Sequence, residues 1–231
     1  MGIIECKGLT KDYGRVRALD GIDLTLEKGQ IVGLLGPNGS GKTTLIKLAN
    51  GLLQPSGGTI TIDGYAPGVE SKAAVAYLPD REFLPEQMSV DALFKMYGDF
   101  FTDFNQEKAE KMLQSLNIKR DVPVKKLSKG TREKVQLILI MARDAKVYLL
   151  DEPIAGVDPA ARDYILRTII SNYCADAVVM ISTHLIADIE SVLDDVVFIK
   201  AGKIVLHEPA DQIREEKGKS IDGLFREVFR C

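Results

Sequence analysis

The feature that most constrains the fold of this chain is a set of four short, uninterrupted apolar segments. Such segments, separated by stretches of helical periodicity, are typical of parallel strands that are buried on both faces of a sheet. Each segment is followed at once by a polar or glycine-bearing stretch, and ligands bind at the carboxyl ends of parallel strands. The sequence therefore predicts an α/β fold with functional residues gathered at one edge of the sheet. The four segments are Ile31 to Leu35, Val75 to Leu78, Val147 to Leu150 and Val178 to Ile181.

The rest of the chain predicts two additions to this core. Residues 3–30 and 57–64 alternate apolar and polar side chains, a pattern typical of antiparallel strands. Residues 86–142 show helical periodicity, and Asn105 is placed to cap a helix within them. We therefore expect an N-terminal antiparallel β subdomain and an inserted helical subdomain. The apolar face of the capped helix consists of Ala109, Met112, Leu113 and Leu116.

The carboxyl end of the chain predicts one further helix, at about residues 221–230. Its apolar residues share one side, which favours docking on its own domain over recruiting a partner. No internal repeat is visible, so residues 1–231 are expected to form a single domain. The apolar residues of this helix are Leu224, Phe225, Val228 and Phe229.

Composition excludes several classes of protein. The net charge of −3 predicts no general affinity for nucleic acid. No apolar run approaches the roughly 18 residues that cross a bilayer, and the first residues lack the pattern of a secretory signal. The cysteines Cys6, Cys174 and Cys231 are scattered and odd in number, which is typical of a reducing compartment. These features predict a cytosolic protein.

A glycine-rich motif follows the first apolar segment and precedes a helical stretch that begins at Thr43. It matches G-x-x-x-x-G-K-[ST], whose backbone N–H groups cradle phosphates at a helix start. The lysine supplies a positive charge for the β- and γ-phosphates, and the hydroxyl of Thr43 is a ligand for Mg²⁺. The alternative is a structural glycine turn. The predicted nucleotide-binding residues here are Gly36, Pro37, Asn38, Gly39, Ser40, Gly41, Lys42, Thr43 and Thr44.

Two adjacent carboxylates end the third apolar segment. Asp151 suits Mg²⁺ through an intervening water, and Glu152 can orient and deprotonate an attacking water. A solvated acidic loop is the structural alternative. The presence of a phosphate loop elsewhere in the chain favours the catalytic interpretation.

A third motif precedes a strongly helical run. Ser128, together with Lys129 and Gly130, opens that helix, whose free N–H groups make a second phosphate site. Taken alone, a serine at this position is an ordinary helix cap. Its place in the chain, between the phosphate loop and Asp151, favours the functional interpretation.

Taken together and in this order, the motifs resemble the nucleotide-binding domain of ABC transporters over nearly the whole chain. The resemblance implies a P-loop NTPase core that binds ATP with Mg²⁺ and hydrolyses it. It also implies roles for single residues: Glu152 as catalytic glutamate, His184 as the switch histidine at the γ-phosphate, and Tyr13 as the aromatic on adenine. A packing role for Tyr13 is the alternative. The matching segments are Gly36–Thr43 (Walker A), Leu127–Thr131 (signature), Val147–Asp151 (Walker B) and Ala155–Asp158 (D-loop).

The chain departs from the family pattern at two positions. Lys129 occupies a position in the signature where the family has glycine, and it adds a cation near the expected γ-phosphate site. Asp80 stands where the family has the Q-loop glutamine. An aspartate there keeps an oxygen for Mg²⁺ or water, loses the amide donor and adds a negative charge.

The stretch from Phe83 to Phe104 is rich in aromatic residues. Leu93, Tyr97, Phe100 and Phe101 are expected along one helical face. Two alternatives stay open: the small core of a helical subdomain, or a groove for a short helix of a membrane subunit. This stretch and Lys129 resemble the ATPase subunits of bacterial ABC-2-type exporters, which favours export.

The resemblance further implies a head-to-tail dimer, formed with itself or a related chain. Transmembrane permease subunits on separate chains would hold it at the inner face of the cell membrane, with ATP between the Lys42 loop of one subunit and Ser128 of the other. Two other classes compete. Nucleic-acid ATPases of this family have tandem units or long coiled coils, and neither is visible. A P-loop kinase would leave residues 127–131 and His184 unexplained.

Overall fold

The structure, a computed structural model, describes residues 2–229, except for the side chains at positions 160 and 161. Cys231 and the last residue of the predicted C-terminal helix, Arg230, lie outside that range. The strands are β1 (Ile4–Tyr13), β2 (Val16–Leu26), β3 (Ile31–Leu35), β4 (Gly57–Ile62), β5 (Val75–Leu78), β6 (Val147–Asp151), β7 (Val178–Thr183), β8 (Asp195–Lys200) and β9 (Lys203–Pro209).

Helices cover both faces of the larger sheet. Most of the chain segment that connects β5 to β6 is also helical. Short 3₁₀ turns occur at Val124–Lys126 and Glu190–Val192. The helices are α1 (Lys42–Ala49), α2 (Val69–Ala74), α3 (Val90–Phe100), α4 (Gln106–Ser115), α5 (Lys129–Met141), α6 (Pro159–Asn172), α7 (Ile186–Ile189), α8 (Ala210–Glu216) and α9 (Ile221–Phe229).

The strands form two sheets, as the sequence predicts. One is antiparallel, in the order β2-β1-β4, and the other has the order β5-β6-β7-β3-β8-β9. In the larger sheet only the β8–β9 pair is antiparallel. All four predicted apolar segments are adjacent parallel strands of this sheet, so the α/β fold is confirmed. Their carboxyl ends lie at one edge, where Leu35 pairs with Thr183 and Asp151 with Ser182.

The residues between β5 and β6 form helices α3, α4 and α5, in agreement with the periodicity. Asn105 caps α4, its Oδ1 accepting a hydrogen bond of 3.0 Å from the N–H of Lys108. One buried side chain joins this region to the sheet. Arg143, only 2% exposed, donates to both carboxylate oxygens of Asp103 at 2.8 Å and to the carbonyls of Ala73 and Val75.

The four residues predicted along one helical face differ in burial, and Phe101 lies just beyond the end of α3. Leu93 and Tyr97 are buried, but Phe100 is 77% exposed. The helix ends at Phe100, and the chain then folds back so that the rings of Phe101 and Phe104 lie 5.3 and 5.7 Å from that of Tyr97. Phe101 and Phe104 pack against the core of this region, whereas Phe100 stays exposed.

Helix α9 docks on the sheet of its own chain, as predicted. The rings of Phe225 and Phe229 lie 5.5 and 5.8 Å from the ring of Phe198, a buried residue of β8. Aromatic pairs at these distances stabilise such packing beyond the area they bury. Among residues 2–229, no helix has the length and hydropathy needed to span a bilayer.

An ion pair at the edge of the larger sheet makes stability depend on pH. His207 Nε2 lies 2.7 Å from Asp195 Oδ2, and this hydrogen bond raises the pKa of His207 above its usual range, while desolvation opposes the rise. A raised folded-state pKa contributes stability that is fully present below the unfolded-state pKa of about 6.5. That contribution is lost as the pH rises through the folded-state pKa.

We therefore expect His207→Gln to lower the free energy of unfolding by about 1 kcal/mol at low pH and by less at high pH. Urea unfolding of both proteins near pH 6 and near pH 9 measures the difference. An equal loss of stability at the two pH values would show that protonation of the His207 imidazole does not stabilise the folded state.

Candidate functional site

The phosphate loop connects β3 to α1, and close packing limits its composition. A Cβ at Gly36 would lie 2.3 Å from the carbonyl oxygen of Ile199, so that any side chain would collide with the backbone of β8. Gly41 has φ of +116°, a conformation that disfavours other residues. The N–H of Gly202 donates to the carbonyl of Ser40 at 2.9 Å. The β8–β9 turn therefore supports the loop from behind.

Lys42 begins α1 and is almost completely buried, with 5% of its surface exposed. Its ammonium group donates to the carbonyl of Gly36 at 2.8 Å and to that of Pro37 at 3.4 Å. The same group lies 3.5 Å from Oε1 of Glu152. These contacts hold the ammonium group inside the loop, where a phosphate bound in the loop would contact it.

The loop borders a cavity of about 240 Å³. Seven of the nine predicted loop residues line it directly, while Gly36 and Pro37 contribute through their carbonyls to Lys42. Both Asp80 and Glu152 reach this cavity from the ends of neighbouring strands. The lining residues are Ala18, Asn38, Gly39, Ser40, Gly41, Lys42, Thr43, Thr44, Asp80 and Glu152.

Asp151 lies at the end of β6, against the start of α1. Its Oδ1 accepts hydrogen bonds from Thr43 Oγ1 at 3.1 Å and from Ser182 Oγ at 2.5 Å. Its Oδ2 is buried and has no hydrogen-bond partner among the described residues. Burial raises the pKa of Asp151, the two hydrogen bonds act against the rise, and the negative charges of Asp80 and Glu152 add to it.

These residues fit a Mg²⁺ ion that is also held by phosphate oxygens. Mg²⁺ in nucleotide sites takes one or two carboxylates plus substrate phosphates, and the unpartnered Oδ2 of Asp151 beside the hydroxyl of Thr43 meets that need. Within the described part of the chain, no group of three or more His, Cys, Asp or Glu residues could bind a metal by itself.

Glu152 is held in a backbone conformation that is uncommon for residues other than glycine. Its φ is +50°, and such strain is found at functional sites. Its N–H donates to the carbonyl and the hydroxyl of Ser182, at 3.0 and 3.1 Å. Its Oε2 lies 3.0 Å from Nδ1 of His184, whereas Lys42 is near the other oxygen, Oε1. The carboxylate thus faces the cavity between a buried cation and a histidine.

Asp80 follows β5 and is exposed at the mouth of the phosphate cavity. Its charge acts on neighbouring groups. Desolvation raises the pKa of Tyr77 to about 12, and the charges of Asp151 and Asp80 add to this effect. The position of Asp80 is therefore close enough to the Asp151 carboxylate for the two to interact electrostatically.

The signature residues lie apart from the phosphate loop. Ser128 caps α5, its Oγ accepting from the N–H of Thr131 at 3.2 Å. Ser128, Lys129 and Gly130 are exposed and line a second cavity, of about 340 Å³, together with Asp158 of the D-loop segment. None of the three lines the cavity at Lys42. Within this chain, the two predicted phosphate sites are thus separate.

Tyr13 ends β1 and is 47% exposed. The ammonium group of Lys11 lies 5.4 Å from the centre of its ring, and the ring is not part of the lining of the phosphate cavity. An exposed ring face suits stacking on a planar base. The proposed role for Tyr13 at adenine stays a prediction.

Sequence reasoning missed Ser182. This fully buried residue holds both the Asp151 carboxylate and the Glu152 backbone. Its place near the end of a predicted strand, two residues before His184, was the available signal. Ala18 was also missed, because nothing in its local pattern distinguishes it from other strand residues.

Comparison with known proteins identifies the family of this chain. A profile of the ABC transporter family matches residues 19–155, which include the phosphate loop, the signature segment and Glu152. Because the match covers more than half of the chain, the chain belongs to the ABC transporter family. Its relatives assign it more narrowly to the ATP-binding members of that family.

Two of these relatives are bacterial export proteins. The chain is 31% identical over 225 residues to the Nod factor export ATP-binding protein I of Ralstonia nicotianae, covering 94% of this chain and 70% of the relative. It is 30% identical to the lipopolysaccharide export system ATP-binding protein LptB of Haemophilus influenzae, covering 94% and 95%. A solved structure described as the ATP-binding subunit of an ABC transporter superposes with a TM-score of 0.88 at 26% identity, over 98% of this chain and 99% of that one.

Proposed function

We propose that this chain hydrolyses ATP to ADP and phosphate and thereby drives transport through separate membrane subunits. The observation that carries the proposal is the position of the Glu152 carboxylate. It borders the phosphate-loop cavity, 3.5 Å from the ammonium group of Lys42 and 3.0 Å from Nδ1 of His184. A carboxylate between a cation and a histidine can hold a water molecule against a bound γ-phosphate.

The chain's own residues divide the work between binding and proton transfer. Loop N–H groups and the start of α1 bind the phosphates, and Lys42 neutralises charge that develops on them. Glu152 accepts the proton of the attacking water, and His184 holds the carboxylate and contacts the γ-phosphate. Mg²⁺ held by Thr43 and Asp151 would neutralise charge on the β- and γ-phosphates. Tyr13 stacks on the adenine.

The active form in this proposal is a head-to-tail dimer. In one chain the Ser128 site and the Lys42 site line different cavities. A second copy, or a related chain, would place its Ser128, Lys129 and Gly130 over the nucleotide at Lys42. We propose that residues 1–231 act as one nucleotide-binding domain, with the helical subdomain at 86–142, held at the inner face of the membrane by permease subunits on other chains.

The direction of transport in this proposal is export. Relatives at 31% and 30% identity are described as export ATP-binding proteins for Nod factor and for lipopolysaccharide, and another, at 28% identity, is described as a daunorubicin resistance ATP-binding protein. The two names that include export support the direction, and the differences among the three names leave the transported molecule open.

An ATPase assay without any acceptor separates this function from its rivals. Release of phosphate from MgATP in water is expected, and it should not increase when DNA or RNA is added. Hydrolysis that requires an acceptor molecule would indicate a phosphotransferase. Stimulation by DNA or RNA would indicate a nucleic-acid ATPase.

Asp80 tests the assignment of the metal site. If its oxygen acts at the Mg²⁺ ion, Asp80→Gln should keep basal ATPase activity within a few-fold, because the amide retains an oxygen. Asp80→Ala removes both oxygens and should weaken Mg²⁺ binding, so that more Mg²⁺ is needed for half-maximal activity. Initial rates over a Mg²⁺ titration measure both effects. Identical titrations for Asp80→Ala and the unaltered protein would remove Asp80 from the site.

A further inference from the structure

The segment that carries Asp80 is held from behind by helix α5. This segment, residues 80–83, has no regular secondary structure. The N–H of Phe83 donates a hydrogen bond of 2.8 Å to Oε1 of Gln136. One turn earlier on the same helix, Nη1 of Arg132 lies 3.2 Å from Oε2 of Glu82. Two successive residues of an irregular segment are therefore fixed by two side chains of one helix.

The burial of Gln136 requires an explanation. It is only 5% exposed and is the one polar residue in the apolar run from Val135 to Ala142. A buried amide costs free energy unless it is hydrogen-bonded, and an apolar residue of similar size would pack at this position without that cost. The contact that uses the amide oxygen of Gln136 is its hydrogen bond from Phe83.

The two contacts lie directly behind the site. A cavity of about 160 Å³ between the segment and the helix is lined by Asp80, Gln136, Lys129 and Glu152, among other residues. Asp80 also lines the phosphate cavity. A shift of residues 82 and 83 would therefore move the Asp80 carboxylate relative to the phosphate loop.

We propose that Gln136 and Arg132 are positioning residues that hold Asp80 at the phosphate site, so that α5 sets the Mg²⁺ requirement for nucleotide binding and turnover. This inference rests on the proposed function in one respect, namely that Asp80 acts at the Mg²⁺ ion of a bound nucleotide. Neither positioning residue lines the phosphate cavity. Their effect would pass through the backbone of residues 80–83.

The test compares two substitutions at one buried position. Gln136→Met keeps the length of the side chain and removes the acceptor for the Phe83 N–H, whereas Gln136→Glu keeps an acceptor oxygen. Gln114→Met, on the exposed side of α4, controls for the same change elsewhere on a helix. Two quantities are measured: the Mg²⁺ concentration for half-maximal ATPase activity, and the affinity for a fluorescent ATP analogue with Mg²⁺ and with EDTA.

We expect Gln136→Met to raise the Mg²⁺ midpoint about tenfold, as is usual when a group behind a metal ligand is removed. Affinity in EDTA should not change and Gln114→Met should have no effect, whereas Gln136→Glu keeps the acceptor but adds a negative charge near Glu133 and Glu152, and it should raise the Mg²⁺ midpoint less than Gln136→Met. A residue that serves packing alone would lower the unfolding midpoint without moving the Mg²⁺ midpoint. An unchanged Mg²⁺ midpoint in folded Gln136→Met overturns the proposal, and so does a larger increase in Gln136→Glu than in Gln136→Met.

A second variant covers the case in which Gln136→Met does not fold. Glu82→Gln removes the charge that pairs with Arg132 on the exposed side of the segment, and it should raise the Mg²⁺ midpoint in the same direction by a smaller factor. Asp80→Ala is run alongside. An effect of Asp80→Ala without any effect of the other two variants overturns the role of Gln136 and leaves the proposed function intact. No effect from any of the three overturns the role of Asp80 as well.

Discussion

Replacement of Glu152 by glutamine is expected to slow ATP hydrolysis by about 10²–10⁴-fold and to leave ATP binding intact. The amide cannot accept the proton of the attacking water. The loop contacts that bind phosphate are unchanged, because the N–H of residue 152 would still donate to Ser182 and Lys42 would still donate to Gly36. Phosphate release and equilibrium binding of a fluorescent ATP analogue measure the two effects separately.

The same substitution should reveal the dimer. ATP that is bound and not hydrolysed would keep two subunits together, so that light scattering of Glu152→Gln with MgATP should give twice the mass of the chain. Glu107→Gln, at an exposed pair with Lys111 on α4, is the matched control and should hydrolyse ATP normally. A monomer at high protein concentration with MgATP would count against the dimer. Unchanged turnover would remove Glu152 from the reaction.

Mixing two inactive variants is expected to restore an ATP site. Lys42→Ala removes a buried cation whose charge-assisted contact is worth about 1.5–3 kcal/mol, and Ser128→Arg blocks the opposing site by bulk and charge. Each variant alone should be inactive, because both sites of either homodimer are damaged. In the mixed head-to-tail dimer, one site carries both changes, while the other combines an intact Lys42 with an intact Ser128.

The control for this experiment is a dimer with the same two changes in another arrangement. A chain carrying both Lys42→Ala and Ser128→Arg, paired with an unaltered chain, has one damaged residue in each site. Heterodimers of both kinds are purified through two different tags, and ATP occlusion and turnover are measured. Occlusion in the first arrangement and none in the second is the expected result.

Equal behaviour of the two heterodimers would overturn the composite site. Failure of tagged subunits to exchange at all would indicate that the physiological pair contains a related chain. The experiment is then carried out with that chain, using the same two changes. Turnover is recorded beside occlusion because hydrolysis could require both sites to be intact.

The sequence was sufficient to predict the fold and to predict which edge of the sheet carries the site. A continuous apolar segment of four or five residues in such a chain must be buried on both faces, which is the environment of a central parallel strand. The phosphate motif then determines the position of Lys42 and Thr43, because a strand, a glycine-rich loop and a helix start leave little freedom. Asp151 and Glu152 follow in the same way from the end of another such strand, β6.

Contacts between residues far apart in the chain could not be deduced in this way. Ser182 reaches Asp151 across two paired strands, and Gln136 reaches Phe83 from 53 residues away. Both depend on strand register and helix rotation. The exposure of Phe100 likewise depends on where α3 ends and on how Phe101 and Phe104 fold back, which helical periodicity does not specify.

The difference between what the sequence predicts and what only the tertiary structure shows has a physical cause. Local pattern determines which segments are buried and which residue types stand at strand ends and helix starts, and so the sequence alone determined the α/β fold and the set of residues at its functional edge. Distances within the site depend on packing among elements that are remote in sequence. Only the tertiary structure placed the Glu152 carboxylate between Lys42 and His184, because these contacts join different loops and strand ends. The structure also showed that one oxygen of Asp151 is buried without a partner among the described residues, which depends on how the neighbouring strands and α1 pack.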